Sequence, residues 1–122
     1  MKHTPGFLEL VAKAKKEILE TDADEIQKKL KNNDSFILID VREESEWAKG
    51  HLPKALHLSK GIIERDIETK IPDKNTPLVL YCGGGFRSAL SAKNLKDMGY
   101  KNVWSMDGGW REWVEKNYPI EN

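Results

Sequence analysis

Cysteine is scarce in this chain: Cys82 is the one thiol among 122 residues. A single thiol closes no internal disulfide and builds no multi-thiolate zinc or iron–sulfur site. Histidine adds little, because His3, His51 and His57 are scattered and have no metal-ligand spacing with Cys82. No metal and no organic cofactor is therefore expected. Excess charge of one sign is missing as well. Lys plus Arg and Asp plus Glu each number 20, which argues against the polybasic character from which nucleic-acid and membrane-surface binders draw affinity. No apolar run approaches the length of a bilayer span, and Glu9 interrupts the N-terminal one before a secretory core can form. Repeats, low-complexity tracts and linkers are absent too. These absences leave a well-solvated domain whose thiol stays free in a reducing compartment, as expected of the cytoplasm, with neither nucleic acid nor membrane as partner.

What is present describes a globule. Hydrophobic residues make up 39% and charged residues 33% of the chain, and a chain of this length buries about two thirds of its unfolded surface. Phe36-Ile37-Leu38-Ile39-Asp40 and Pro77-Leu78-Val79-Leu80-Tyr81 are continuous apolar runs of strand length, as in buried parallel strands. Shorter strands are expected over 18–21, 55–58 and 102–106. Helical patterns separate them. Residues 5–16 place Leu8, Val11, Ala12 and Lys15 at helical spacing behind Pro5, and Asp22 with Glu25 opens a second helix in the manner of a capping box. Residues 43–49 form a short helix closed by Gly50, and 61–71 one with Ile63, Ile67 and Ile71 in line. Leu90, Leu95 and Met98 mark a helix closed by Gly99, and 109–117 a last one with Trp110, Trp113 and Val114 on one face. Strands alternating with helices in this rhythm predict an α/β fold, a mainly parallel sheet of about five strands with helices on both faces.

The chemistry concentrates in Cys82-Gly83-Gly84-Gly85-Phe86-Arg87-Ser88. A strand delivers the thiol to its C-terminal end, the ligand side of an open parallel sheet. Three glycines let the backbone curl, and a helix begins next, so several amides should point at one spot and form an anion nest. Arg87 adds a planar cationic fork suited to oxyanions. That field is expected to favour thiolate at Cys82, as a nucleophile requires. Taken singly, a lone cysteine is more often a small buried hydrophobe, and glycines after a strand are often just a turn. Their conjunction favours a site.

Three segments carry a family resemblance: Asp40-Val41-Arg42 with Glu46-Trp47 and Gly50-His51-Leu52, the Cys82–Ser88 loop, and Gly108-Gly109-Trp110 with Trp113. Over about residues 18–118 the chain resembles the rhodanese-like, single-domain sulfurtransferases. The resemblance implies a rhodanese-like domain over 18–122 behind a helical extension over 1–17. It implies that Cys82 takes a sulfane sulfur from a small anionic donor (thiosulfate, polysulfide or a persulfide) and passes it to a thiol or cyanide. Thioredoxin or another sulfur-relay protein would also serve as acceptor. Gly83, Gly84, Gly85, Phe86 and Ser88 would cradle the sulfur or oxyanion, and Arg87 would steer and hold the donor.

Loop length separates this chemistry from a relative. Four residues lie between Cys82 and Arg87, one fewer than in the loop of cysteine phosphatases and arsenate reductases. Tyr81 stands where tyrosine phosphatases carry histidine, and no acid lies in the loop to protonate a leaving alkoxide. The loop also has only one cation, with Phe86 as an apolar lip, so thiosulfate is expected to bind weakly. A non-catalytic rhodanese-like module that binds a protein partner is the other alternative, and the intact loop speaks against it. Asp40 and Arg42, in the resemblance, support the active-site side of the sheet through ion pairing. His51 and His57 are expected to be structural, the four tryptophans to face the core, and the first helix to cover a face or edge of the sheet.

Overall fold

The computed structural model describes residues 2–122. Its elements run α1 (Pro5–Lys15), β1 (Leu19–Thr21), α2 (Ala23–Lys31), β2 (Ile37–Asp40), α3 (Glu44–Ala48), β3 (Leu56–His57), α4 (Ile63–Lys70), β4 (Leu78–Tyr81), α5 (Phe86–Asp97), β5 (Val103–Met106) and α6 (Gly109–Glu115). The strands form one sheet in the order β1-β5-β4-β2-β3, and every pairing is parallel. The two strongest apolar runs, β2 and β4, lie side by side, with Ile39 opposite Leu80 and Asp40 opposite Tyr81. A strand buried on both faces has no use for alternation, and these read as unbroken hydrophobic stretches for that reason.

Side chains alternate between two cores. Ile39, Leu78, Leu80, Cys82 and Val103 point into a layer with Ile63 and Ile67 of α4 and Ala92 and Leu95 of α5. Leu38, Val79, Tyr81 and Met106 point the other way, against Ala23 and Ile26 of α2 and Trp113 of α6. Helices thus cover both faces, as expected. Local signals set several boundaries: Asp22 caps α2 by accepting the Glu25 amide at 2.9 Å, and Gly99 adopts φ +105° just past the end of α5.

Four sequence expectations need correction. In α1 the buried residues are Val11 and Ala14, with Phe7 half-buried, whereas Leu8 and Ala12 face out. This helix packs chiefly on α5, not on a sheet face or edge. In α6, Val114 is 43% exposed while Trp113 is fully buried. Trp47 joins neither core. Its ring stacks on His51 at 3.6 Å between centroids and on His57 at 4.9 Å.

Candidate active site

Cys82 immediately follows β4, so its side chain emerges at the carboxyl end of the sheet on the α4 and α5 side. It is 1% exposed. The Gly85 amide donates to its Sγ at 3.1 Å and the Ser88 amide at 3.4 Å. Ser88 Oγ lies 3.5 Å from Sγ and 2.8 Å from Ser105 Oγ on β5, which makes a short buried polar chain behind the sulfur. Gly85 turns at φ +98°, where a Cβ would press within 3.2 Å of the Asp107 and Gly108 backbone. The glycine therefore lets the loop curl back and enter α5 with its first amides aimed at sulfur.

The carbonyl side of the loop is fastened by α6. Trp110 N–H donates to the Cys82 carbonyl at 2.8 Å and Arg111 N–H to that of Gly83 at 3.0 Å. Gly109, at φ +52°, makes this approach feasible, because a Cβ there would overlap the Cys82 carbonyl oxygen. The Gly108-Gly109-Trp110 motif thus belongs to the sulfur loop, although some twenty-five residues of sequence separate them. With the carbonyls engaged behind it, the loop presents amides, not carbonyl oxygens, to the sulfur.

Arg87 is not open-handed. Its guanidinium grips Glu46 of α3, Nη1 to Oε1 at 2.8 Å and Nη2 to Oε2 at 3.1 Å. Glu46 Oε1 also accepts the Glu43 amide at 3.0 Å, so one carboxylate caps α3 and clamps the arginine. The Arg87 fork, opposed by partial burial, holds the Glu46 carboxyl down to about 2. Glu46 in turn raises the Arg87 pKa above its ordinary value. The expectation of a single cation at the loop also needs correction: Arg111, in the first turn of α6, brings its Nη1 within 3.5 Å of the Cβ position at Gly84. Sequence reading missed Arg111 because its helix comes to the loop only in the folded chain.

Asp40 and Arg42 sit elsewhere, in a buried network on the opposite face. Arg42 Nη2 donates to Asp40 Oδ2 at 2.8 Å and to the Gly50 carbonyl at 2.7 Å, while Tyr81 Oη donates to Asp40 Oδ2 at 2.8 Å. The Leu52 amide donates to Tyr81 Oη at 3.0 Å. Burial works against the Arg42 charge, yet the bonds to Asp40 prevail and hold its pKa above the ordinary value. Burial, then the Asp40 charge, pushes the Tyr81 phenol strongly upward. The Arg42 guanidinium lies 4.4 Å from the Trp110 ring centroid, so the network braces the residue whose amide fastens the Cys82 loop. His57 Nε2 meets the Arg42 carbonyl at 2.8 Å and His51 Nδ1 that of Leu52 at 3.0 Å. Both rings have backbone partners, and neither is hydrogen-bonded to Cys82.

Cys82 lines one wall of a cleft of about 660 Å³, together with Phe86, Arg87, Arg111, Glu46 and, from the N-terminal arm and α1, His3 and Phe7. Among the described residues no group of acidic, histidine or cysteine side chains is arranged to hold a metal ion, and no helix is long and apolar enough to cross a membrane.

Known proteins share this chain's sequence pattern and fold. The YtwF protein of Bacillus subtilis is 35% identical over 103 residues, 84% of this chain and 97% of its own length. The thiosulfate sulfurtransferase GlpE of Coxiella burnetii is 33% identical over 80% of this chain and 86% of its own. A structure from Rhodopseudomonas palustris, described as a protein of unknown function and possible tyrosine phosphatase, superposes with a TM-score of 0.84 at 26% identity, covering 99% of this chain and 98% of that one. A thiosulfate sulfurtransferase from Pseudomonas aeruginosa superposes with a TM-score of 0.76 at 29% identity over 84% of this chain, which corresponds to 20% of that larger protein. The rhodanese-like domain profile matches residues 22–116, and the chain belongs to the rhodanese-like domain family.

Proposed function

We propose that this protein is a sulfurtransferase in which Cys82 carries the sulfur. The observation that carries the reading is the pair of amides, from Gly85 and Ser88, that donate to Sγ. Donors fixed in a buried loop stabilise negative charge on the entering nucleophile and on the persulfide that replaces it. The Cys82 thiolate attacks the sulfane sulfur of the donor. A Sγ–S bond forms, the donor's S–S bond breaks, and the electron pair leaves with sulfite, a shortened polysulfide or a thiolate. An acceptor thiolate or cyanide then attacks the outer sulfur, and the pair in the Sγ–S bond returns to Cys82. Sulfur moves without any external oxidant or cofactor.

The relatives YtwF and GlpE support sulfur transfer in general. The cation supply bears on the donor. With the Arg87 fork satisfied by Glu46, Arg111 and Lys2 at the cleft supply the charge that meets an anionic donor, whether thiosulfate, polysulfide or a persulfide. Phosphatase chemistry, raised by the description of the Rhodopseudomonas structure, lacks support here. The loop is one residue short for a phosphate cradle, and the nearby carboxylate, Glu46, is ion-paired and held ionised, unfit to donate a proton to a leaving group.

Intact-mass measurement after incubation with polysulfide or thiosulfate and desalting tests the reading. The expected result is a gain of one sulfur, removed by dithiothreitol and absent in Cys82→Ser. Wild-type protein that gains no sulfur from any donor would favour a non-catalytic binding module, and phosphoester turnover lost in Cys82→Ser would revive the phosphatase reading.

A further inference from the structure

The cleft beside Cys82 is far larger than a sulfur atom or small inorganic anion needs. About 660 Å³ falls within the range of about 300–1,000 Å³ that organic ligands occupy. One side of it is aromatic. His3 lies 4.8 Å from Phe86 and 5.1 Å from Phe7 between ring centroids, and Phe7 lies 6.1 Å from Phe86. Lys15 covers the Phe86 ring at 5.5 Å while paired with Asp107 and Glu20, which fixes that ring in place. Two of these three rings come from the arm and first helix that precede the matched domain region. Arg111 lines the same cleft, next to Gly84. Among the described residues its side chain has no hydrogen bond and no ion pair, unlike Arg87, whose fork Glu46 occupies.

We propose that Phe7, His3, Phe86 and Arg111 form a subsite for the organic body of the sulfur donor. The substrate class is a low-molecular-weight thiol persulfide that bears both an apolar group and a carboxylate. The apolar group lies on the Phe7 and Phe86 rings, the carboxylate meets the Arg111 guanidinium, and the outer sulfur reaches Cys82 at the cleft wall. The step balances as before: the Cys82 thiolate takes the outer sulfur of R–S–S–H, the donor's S–S bond breaks, and R–S–H leaves with the proton. This assignment rests on the sulfur-transfer reading and extends it to what the donor carries beyond its sulfur.

The test uses the full chain with three donors: N-benzoylcysteine persulfide, its carboxamide analogue, and inorganic polysulfide. Wild-type protein should take sulfur from the carboxylate donor with a KM about fivefold below that of the carboxamide, the size of a partly exposed ion pair. Arg111→Gln should erase that preference. Phe7→Ala should raise the KM for both benzoyl donors about fivefold, as loss of an aromatic contact does, and Phe7→Tyr should restore it. A wild-type protein that loads from polysulfide yet treats acid and amide alike, or is indifferent to Phe7→Ala, would overturn the subsite and leave sulfur transfer standing. A protein that loads from none of the three would overturn both.

Discussion

Two buried polar residues behave oppositely. Asp40 is fully buried but accepts from the Arg42 guanidinium, the Arg42 amide and the Tyr81 hydroxyl. Its partners compensate for lost hydration, and removing it strands an arginine that is 2% exposed. Asp40→Ala should therefore cost about 3–5 kcal/mol of stability in denaturant unfolding. A cost below 1 kcal/mol would mean that Arg42 finds another partner or water. Ser91 is the counterexample. Its Oγ is buried and has no partner among the described residues. Ser91→Ala removes an unsatisfied hydroxyl from a helix interior and should stabilise the protein by about 1 kcal/mol, raising Tm by about 3–5 °C. A fall in Tm would show that the hydroxyl has a partner, such as a buried water.

Among the elements, α6 matters through its first turn. Its Trp110 and Arg111 amides hold the carbonyls of Cys82 and Gly83, and contact this close leaves no room for a side chain at Gly109. Gly109→Ala must shift either the helix or the loop. We expect a loss of at least about 2 kcal/mol from backbone strain and collision. Sulfur uptake should slow about tenfold or more, because misplacement of a preorganised donor costs that much, whereas Gly6→Ala, at an open helical position in α1, should leave uptake unchanged and cost no stability. Equal uptake rates in Gly109→Ala and wild type would detach α6 from the site. Element types were readable from the chain because each carries a local cause: Pro5 in the first turn of α1, the Asp22 cap on α2, the unbroken apolar runs of β2 and β4. Which side of α1 lies inward was not readable. The spacing of Leu8, Val11, Ala12 and Lys15 picked out Val11 correctly, but Ala14 and half-buried Phe7 face inward instead of Leu8 and Ala12, because the docking of α1 on α5 sets the inner side.

Acid unfolding reports on the whole molecule, and the α3 to loop clamp should leave a mark on it. Glu46 titrates near 4.5 when unconstrained and is held to about 2 in the folded protein, first by Arg87. Its folded pKa is depressed, so its stabilising contribution is complete above about pH 5 and is lost as pH falls through 4.5 toward 2. At 36% side-chain exposure, solvent screening limits that contribution to about 1 kcal/mol. The stability difference between wild type and Glu46→Gln should be constant from pH 7 to 5 and shrink below it. A difference that stays flat down to pH 2 would show that the pair adds nothing. The strand-end cysteine, its glycine loop, the α/β alternation and the family were legible in the sequence alone, the first two from neighbours within a few positions and the family from three motif segments along the chain. The tertiary structure alone decided that Arg87 faces Glu46, that Arg111 and the N-terminal rings border Cys82, and that Asp40 and Arg42 brace the loop from the opposite face. Those are contacts between residues tens of positions apart, and only the packing of α1, α3 and α6 around one end of the sheet brings them together.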